Sequence, residues 1–99
     1  MKIYLFCAGG MSTGLLVKNM EKYILEKGLD HTVSAHGIGS VEYYCKDADI
    51  ILLGPQIRYK LNQVKEIVKD KPVMVIDTKI YGMLDGKKLM EEIIKLMED

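Results

Sequence analysis

Cys7 and the residues that follow it are the part of this chain whose types and spacing suit covalent chemistry. Cys7 ends an apolar run, and small or hydroxyl residues separate it from a helical pattern that includes Leu15 and Leu16. The unpaired N–H groups at the start of a helix attract anions, and the helix dipole favours a thiolate over a thiol. We therefore predict that Cys7 is a nucleophile that carries a phosphoryl group. The alternative is a buried thiol before an ordinary turn.

A phosphocysteine needs donors for the phosphoryl oxygens and a main chain that can approach the phosphate closely. Gly9 and Gly10 permit that approach, and successive N–H groups in a loop of small residues form an anion-binding nest. Ser12 and Thr13 add hydroxyl groups that can donate to the phosphate or cap the helix. The predicted phosphate-binding residues are Ala8, Gly9, Gly10, Met11, Ser12, Thr13 and Gly14.

The loop after Cys7 partly resembles the active-site loop of low-molecular-weight tyrosine phosphatases, which begins with cysteine and ends with arginine and a hydroxyl residue. In this chain Thr13 stands at the arginine position, and the first basic residue after Cys7 is Lys18. A hydrolase uses that arginine to stabilise the transferring phosphoryl group, and such electrostatic stabilisation is usually the largest catalytic contribution. Without it, water should attack a phosphocysteine slowly, which suits a carrier better than a phosphatase.

The composition is that of one soluble domain spanning residues 1–99. The chain is 48% hydrophobic and 28% charged, and its 14 basic and 14 acidic residues cancel. Zero net charge argues against a protein that binds nucleic acid or a membrane surface. No apolar stretch approaches the ~20 residues of a membrane-spanning helix, and the chain starts directly in a strand pattern. We expect a cytoplasmic protein without direct membrane insertion, in which both cysteines are thiols and Cys45 is packed and inert.

Alternating apolar runs and helical patterns predict an α/β fold. Strands are predicted at 3–7, 31–36, 49–53 and 72–76, helices at 13–27, 57–68 and 85–97, a helical turn at 41–45, and a loop or short turn at 77–82. The strands are continuously apolar, which indicates a sheet covered on both faces. Right-handed crossovers then give a three-layer, four-stranded parallel sheet of order 2-1-3-4, flavodoxin-like and similar to the low-molecular-weight phosphatases.

The predicted topology places the candidate residues at one edge of the sheet. Open parallel sheets bind ligands beyond the carboxyl ends of the strands, here at the switch point between strands 1 and 3. The loops at 7–13, 54–59 and 77–82 should meet there. Arg58, the one arginine, could guide the phosphoryl group or pair with a partner's carboxylate, and Gln56 could donate to a phosphate oxygen. Tyr59 and Tyr81 are candidates for a docking face, and half-buried packing is the alternative for both.

Acidic residues and histidines give weaker signals. Asp77 follows the fourth strand, where a general acid would suit a phosphatase. A carboxylate would repel a phosphothiol, however, so a helix cap or a loop hydrogen bond is favoured. His31 and His36, even combined with the two cysteines, match no metal-ligand spacing. We expect neither a metal ion nor a cofactor.

Three segments together resemble a known family. They are CAGGMSTGLLV at residues 7–17, LLGPQIRY at 52–59, and VID at 75–77 followed by Tyr81-Gly82 and Asp85-Gly86. This pattern resembles enzyme IIB of the sugar phosphotransferase system, in its lactose/cellobiose family. Met11-Ser12-Thr13 is nearer the cellobiose/chitobiose branch than the lactose branch. The resemblance extends over essentially the whole chain.

The resemblance implies a phosphotransferase that works between two protein partners. A phosphohistidine on the IIA protein would pass its phosphoryl group to Cys7, and Cys7 would pass it to a sugar, a cellobiose-type β-glucoside or chitobiose, held by the membrane-embedded IIC protein. The resemblance also implies the same four-stranded fold. Two alternatives remain open: a cysteine-dependent phosphatase or arsenate reductase on this fold, and a non-catalytic interaction module.

Overall fold

The strands pair in the order and direction that the sequence predicts. The computed structural model of the protein describes residues 1–8 and 11–98. The strands are β1 Lys2–Cys7, β2 Thr32–Gly37, β3 Ile50–Leu53 and β4 Val73–Val75, and the helices are α1 Met11–Glu26, α2 Val41–Tyr44, α3 Leu61–Val68, α4 Thr78–Gly82 and α5 Gly86–Glu98. All pairs are parallel and the order is β2-β1-β3-β4. The predicted α/β architecture is therefore confirmed.

β1 lies inside the sheet, between β2 and β3, and determines the position of Cys7. In the register of the sheet, Phe6 lies between His36 of β2 and Leu53 of β3, and Cys7 lies beside Gly37. Hydrogen bonds on both sides of β1 fix its direction and its end. Cys7 is therefore held at the carboxyl edge of the sheet, as the topology predicts.

Each face of the sheet has its own apolar core. Ile3 and Leu5 of β1 pack with residues of α1 and α5. Phe6 points to the opposite face and packs with residues of α3 and of the segment around α2. This alternation follows from the period of two along a strand. Since both faces are buried, the continuous apolar runs of the strands are explained.

Two helix starts differ from the prediction. α1 begins at Met11 and not at Thr13. The prediction followed the apolar stripe, and among the side chains of α1 that the structure describes the first buried apolar one is Leu16. α3 begins at Leu61 and not at residue 57, because Ile57 has φ −116° and ψ 24°, which interrupts the 3₁₀ turns of Pro55–Lys60.

The segment between β2 and β3 is more helical than predicted. α2 is flanked by 3₁₀ turns at Ile38–Ser40 and Cys45–Asp47. The ammonium group of Lys71 donates to the carbonyl oxygens of Cys45, at 2.5 Å, and Lys46, at 2.6 Å. A cation at the end of a helical segment satisfies its last carbonyl groups. None of the helices in the described part of the chain is long and apolar enough to cross a membrane.

The start of α5 rests directly on the main chain of α1. A Cβ atom on Gly86 would lie 2.5 Å from the carbonyl carbon of Asn19 and 2.5 Å from the nitrogen of Met20. Main-chain atoms cannot rotate away from such an overlap as a side chain does. Only glycine at position 86 therefore allows this approach of the two helices.

Replacing Gly86 by alanine should separate α1 from α5. We expect Gly86→Ala to lower the free energy of unfolding by about 1–3 kcal/mol, as overpacking usually does. Urea denaturation followed by circular dichroism measures this. Gly14→Ala is the matched control: a Cβ there meets no described atom within 4 Å, and alanine should add about 0.5–1 kcal/mol. Equal stabilities of the two variants would contradict the packing argument.

Candidate functional site

Cys7 is the last residue of β1 and its side chain is 7% exposed. Its Sγ lies 4.0 Å from the carbonyl oxygen of His36, a distance at which a thiol is a weak donor. Both Cys7 and Cys45 are free thiols. The thiol of Cys7 therefore lies at the carboxyl end of the sheet, between the end of β1 and the start of α1, as predicted.

Gly54 brings the loop after β3 next to Cys7. Its N–H donates to the carbonyl oxygen of Phe6 at 2.9 Å and so continues the contact between β1 and β3. A Cβ on Gly54 would lie 3.7 Å from the Cβ of Cys7 and 3.2 Å from the Oε1 of Gln56. The side chains of Cys7 and Gln56 thus both lie close to Gly54. This contact confirms that the loops after β1 and β3 meet at one edge.

Thr13 and Tyr81 join the third loop to this edge. The Oγ1 of Thr13 and the hydroxyl oxygen of Tyr81 lie 3.0 Å apart, and either can be the donor. Thr13 is 2% exposed, and Tyr81 is half-buried against the core that includes Leu16. The Tyr81 hydroxyl therefore meets α1 inside the protein, in addition to any contact it makes with a partner.

Asp77 acts as the N-cap of α4. Its Oδ2 accepts hydrogen bonds from the N–H groups of Lys79, at 3.0 Å, and Ile80, at 3.1 Å. A carboxylate at a helix start satisfies two otherwise unpaired donors and interacts favourably with the helix dipole. This geometry confirms the favoured reading of Asp77 as a cap, and it turns the predicted loop at 77–82 into a short helix.

Arg58 and Tyr59 lie on the exposed surface of the 3₁₀ turns that follow Gly54. The described contacts of their side chains stay within this segment. The Nη1 of Arg58 lies 3.4 Å from the carbonyl oxygen of Pro55. Tyr59 is 75% exposed, with the Nζ of Lys60 at 6.0 Å from its ring centroid. Both residues are therefore accessible to a partner, and their predicted contacts with phosphate or protein stay predictions.

The remaining loop residues are described unevenly. Ala8 is exposed, and Gly14 is exposed in the first turns of α1. Met11 and Ser12 contribute the first main-chain positions of α1, whose N–H groups lack partners within the helix. Gly9 and Gly10 lie outside the described residues. The phosphate-binding role of the loop stays a prediction.

His36 is a neighbour of Cys7 whose place the sequence reasoning missed. Its ring stacks on Tyr44, with centroids 3.7 Å apart and planes at 20°, and meets the ring of Tyr4 edge-on at 5.5 Å. One ring nitrogen, Nε2, lies 3.0 Å from the hydroxyl of Ser34. Burial lowers the pKa of His36 below its ordinary 6.5. The signal was available: the order 2-1-3-4 places the end of strand 2 beside the end of strand 1.

Cys45 and the histidines give no second reactive site in the described structure. Cys45 is buried, and its Sγ lies 3.5 Å from the carbonyl oxygen of Glu42. His31 precedes β2 and contacts the amino group of Met1 through Nδ1 at 2.9 Å, whereas His36 lies near the other end of that strand. Among residues 1–8 and 11–98, no three histidine, cysteine or acidic side chains converge as a metal site requires.

The arrangement combines a nucleophile with a helix start and a paired hydroxyl. The thiol of Cys7 precedes α1, whose first N–H groups can donate hydrogen bonds to the oxygens of a bound phosphoryl group. Thr13, at the position of the phosphatase arginine, is buried and bonded to Tyr81. The carboxylate of Asp77 caps α4 and is not an unengaged acid. These features suit the acceptance of a phosphoryl group better than its hydrolysis.

Comparison with known proteins agrees with this geometry. The family described as "PTS system, Lactose/Cellobiose specific IIB subunit" matches residues 2–92. The chain is 36% identical over 98 residues to the oligo-beta-mannoside-specific EIIB component of the PTS system of Bacillus subtilis (strain 168), which covers 97% of this chain and 95% of that protein.

Two further relatives extend the comparison. The solution structure of the cellobiose-specific phosphotransferase IIB component protein from Borrelia burgdorferi has a TM-score of 0.80 and 34% identity, and the match covers 96% of this chain and 89% of that chain. The lactose-specific EIICB component of the PTS system of Lacticaseibacillus casei is 28% identical over 76 residues, which are 77% of this chain and 13% of that protein.

The burial of His36 predicts a loss of stability in mild acid. Because the folded state lowers its pKa, the unfolded chain takes up the proton first as the pH falls through about 6.5. The free energy of unfolding should therefore be highest above that pH and decrease towards pH 5.5. His36→Phe keeps an aromatic ring against Tyr44 and removes the titration, so its decrease should be smaller. Urea denaturation at pH 8 and pH 5.5 measures both slopes, and parallel slopes would contradict the role of His36.

Proposed function

The chain belongs to the lactose/cellobiose-specific IIB family of the PTS, whose members are sugar-specific phosphotransferase components, and on that premise we propose that it carries a phosphoryl group on Cys7. The observation that carries the proposal is the position of Cys7 at the carboxyl end of β1, with three residues between it and Met11, where α1 starts. A helix start stabilises both the thiolate and the phosphate that the thiolate accepts.

The transfer takes place in two balanced steps. In the first, the thiolate of Cys7 attacks the phosphorus of a phosphohistidine on a IIA protein. An S–P bond forms, the N–P bond breaks, and its electron pair stays on the imidazole ring, which takes up a proton from solvent. In the second, a hydroxyl group of the sugar attacks the phosphorus. An O–P bond forms, the S–P bond breaks to return the thiolate, and the hydroxyl proton is released to solvent.

The partners follow from the family and from one relative. The lactose-specific relative of Lacticaseibacillus casei is named an EIICB component, and this chain matches 13% of its length. That name supports a IIC protein as the acceptor side of the relay, with a IIA phosphohistidine as the donor. We propose that the chain works at the cytoplasmic face of the membrane, where it meets IIC without entering the bilayer.

The sugar is proposed from the branch of the family. The relatives described above are specific for oligo-beta-mannoside, cellobiose and lactose. Met11-Ser12-Thr13 favours the cellobiose side, and we propose a cellobiose-type β-glucoside or chitobiose. Because IIC holds the sugar in this scheme, the groups that select it lie outside this chain.

Thr13 distinguishes a carrier from a phosphatase or arsenate reductase on the same fold. Its hydroxyl is neutral, buried and bonded to Tyr81, so position 13 supplies no positive charge to a transferring phosphoryl group. Removing a single oxyanion-stabilising donor typically slows catalysis about 10²–10³-fold. A phosphocysteine in this loop should therefore persist until an acceptor arrives.

The test of the proposal is the location of the phosphoryl group. Incubation with phosphoenolpyruvate and a reconstituted relay that ends in IIA should add one phosphoryl group to the wild-type chain, at Cys7. Cys7→Ser should abolish that modification. Cys45→Ser is the matched control, because Cys45 is also 7% exposed, and it should be modified as the wild type is. Intact-mass and peptide mass spectrometry at neutral pH measure all three.

Two results would overturn the carrier proposal, and a third would contradict the assignment to Cys7. One is an unmodified wild-type chain in a relay that modifies another IIB protein. The other is a phosphoryl group found at a residue other than Cys7. Loss of modification in Cys45→Ser while that variant remains folded would likewise contradict the assignment to Cys7.

The phosphatase alternative gives the opposite result in a simple assay. We expect the wild-type chain to hydrolyse an aryl phosphate no faster than Cys7→Ser does. The physical reason is the missing positive charge at position 13. Release of the coloured phenol, followed over hours, measures this. Turnover that depends on Cys7 at about 1 s⁻¹ or faster, the range of ordinary enzymes, would favour the phosphatase.

A further inference from the structure

Thr13 is the only buried polar side chain in the part of the chain whose side chains are described. A buried hydroxyl needs a hydrogen-bond partner, and leaving it without one costs more free energy than the bond itself contributes. The partner of Thr13 is the hydroxyl of Tyr81, at 3.0 Å and 68 positions along the chain. This bond joins the first turn of α1 to α4.

α4, which carries Tyr81, is held firmly at its start. Asp77 caps α4 through two N–H groups, and the N–H of Ile76, just before it, donates to the carbonyl oxygen of Leu53 in β3 at 2.9 Å. α4 is therefore fixed to the sheet at its start. Tyr81 extends from this fixed helix to Thr13, so the hydrogen bond holds the first turn of α1 relative to the carboxyl edge of the sheet.

We propose that Thr13 and Tyr81 are a positioning pair, which sets the first turn of α1 so that its N–H groups face the phosphoryl group on Cys7. This inference rests on the function proposed above. Neither hydroxyl needs to touch the phosphate, because the pair acts through the main chain of α1. The pair also explains why a hydroxyl residue at position 13 is compatible with this site: its side chain is turned into the protein.

A second hydrogen bond between the same parts of the molecule provides a matched control. The Nδ2 of Asn19 donates to the carbonyl oxygen of Leu84 at 2.8 Å. It also joins α1 to the end of the α4 region, but further from Cys7 along α1. If the effect depends on the position of the first turn, losing this bond should leave the transfer rate unchanged.

The experiment measures phosphoryl transfer from a IIA phosphohistidine to Cys7 under single-turnover conditions, with donor concentration varied. Thr13→Val and Tyr81→Phe each remove one hydroxyl with little change of shape. Each should lower the rate at saturating donor roughly fivefold, because a displaced first turn should stabilise the transition state less, by about as much as one hydrogen bond contributes. The donor concentration needed for half saturation should change little. Rates are expressed per folded molecule, from thermal unfolding of each variant.

Three further variants separate positioning from general loosening. The double variant Thr13→Val with Tyr81→Phe should be no slower than the slower single variant, because both changes remove the same bond. Thr13→Ser restores a hydroxyl and should recover most of the rate that Thr13→Val loses. Asn19→Ala should transfer at the wild-type rate. If Thr13→Val does not fold, Tyr81→Phe compared with Asn19→Ala decides the question.

Each other outcome overturns the inference. Wild-type rates in folded Tyr81→Phe and Thr13→Val would show that the bond does not affect transfer. An equal loss in Asn19→Ala would show that any loosening of α1 from α4 has the same effect. A wild-type chain that is not modified on Cys7 overturns the proposed function together with this inference, whereas a modified wild type with unchanged variants overturns the inference alone.

Discussion

The site depends on β1 being hydrogen-bonded on both sides and buried on both faces. β2 and β3 both pair with β1 in parallel, and Ile3, Leu5 and Phe6 are fully buried. A shift in the register of β1, or an exchange of its two faces, would expose apolar side chains. The end of β1 is therefore fixed in position. Cys7 occupies that end, and the loops after β3 and β4 are carried to it by the same sheet. The sheet therefore sets the position of the thiol, and the loops have to place their own groups around that fixed point.

Most of the fold was predictable from the sequence because its signals are apolar and periodic. The strands around Leu5, Ile51 and Met74 appear as short apolar runs, and their crossovers leave few possible orders of the sheet. Cys7 and the neighbouring loops also followed from this topology. The start of α1 did not, since among its described side chains the buried apolar stripe begins only at Leu16. Ile57 misled in the opposite way: it is buried, yet its main chain is not helical.

The contacts of the site were less predictable than its residues. Thr13, Tyr81 and Asp77 were all candidates, but their partners depend on distances between elements far apart in the sequence. Asp77 as a helix cap was accessible to local reasoning, because the donors are in the next residues. The bond from Thr13 to Tyr81 and the stack of His36 on Tyr44 involve side-chain directions, which topology alone does not fix. The sequence thus identifies which residues lie at the edge of the sheet, but not which of their side chains contact each other.

Position 13 holds a neutral threonine paired with Tyr81, where the similar phosphatase loop has a charged arginine. This difference affects the electrostatics of the whole site. An arginine in the loop would bind a phosphoryl group tightly and would stabilise its attack by water and by an acceptor alike. In the proposed carrier, the main-chain N–H groups at the start of α1 would still bind the phosphoryl oxygens. They would add no net charge, so the phosphoryl group would be released more easily to a partner that brings its own electrostatic stabilisation. A carrier has to accept a phosphoryl group in one step and donate it in the next. Tight binding of the phosphocysteine state would favour the first step but raise the barrier of the second. Under the proposed function, the buried, neutral contact of Thr13 with Tyr81 would meet this requirement, because it would order the first turn of α1 without adding a charge that binds the phosphate.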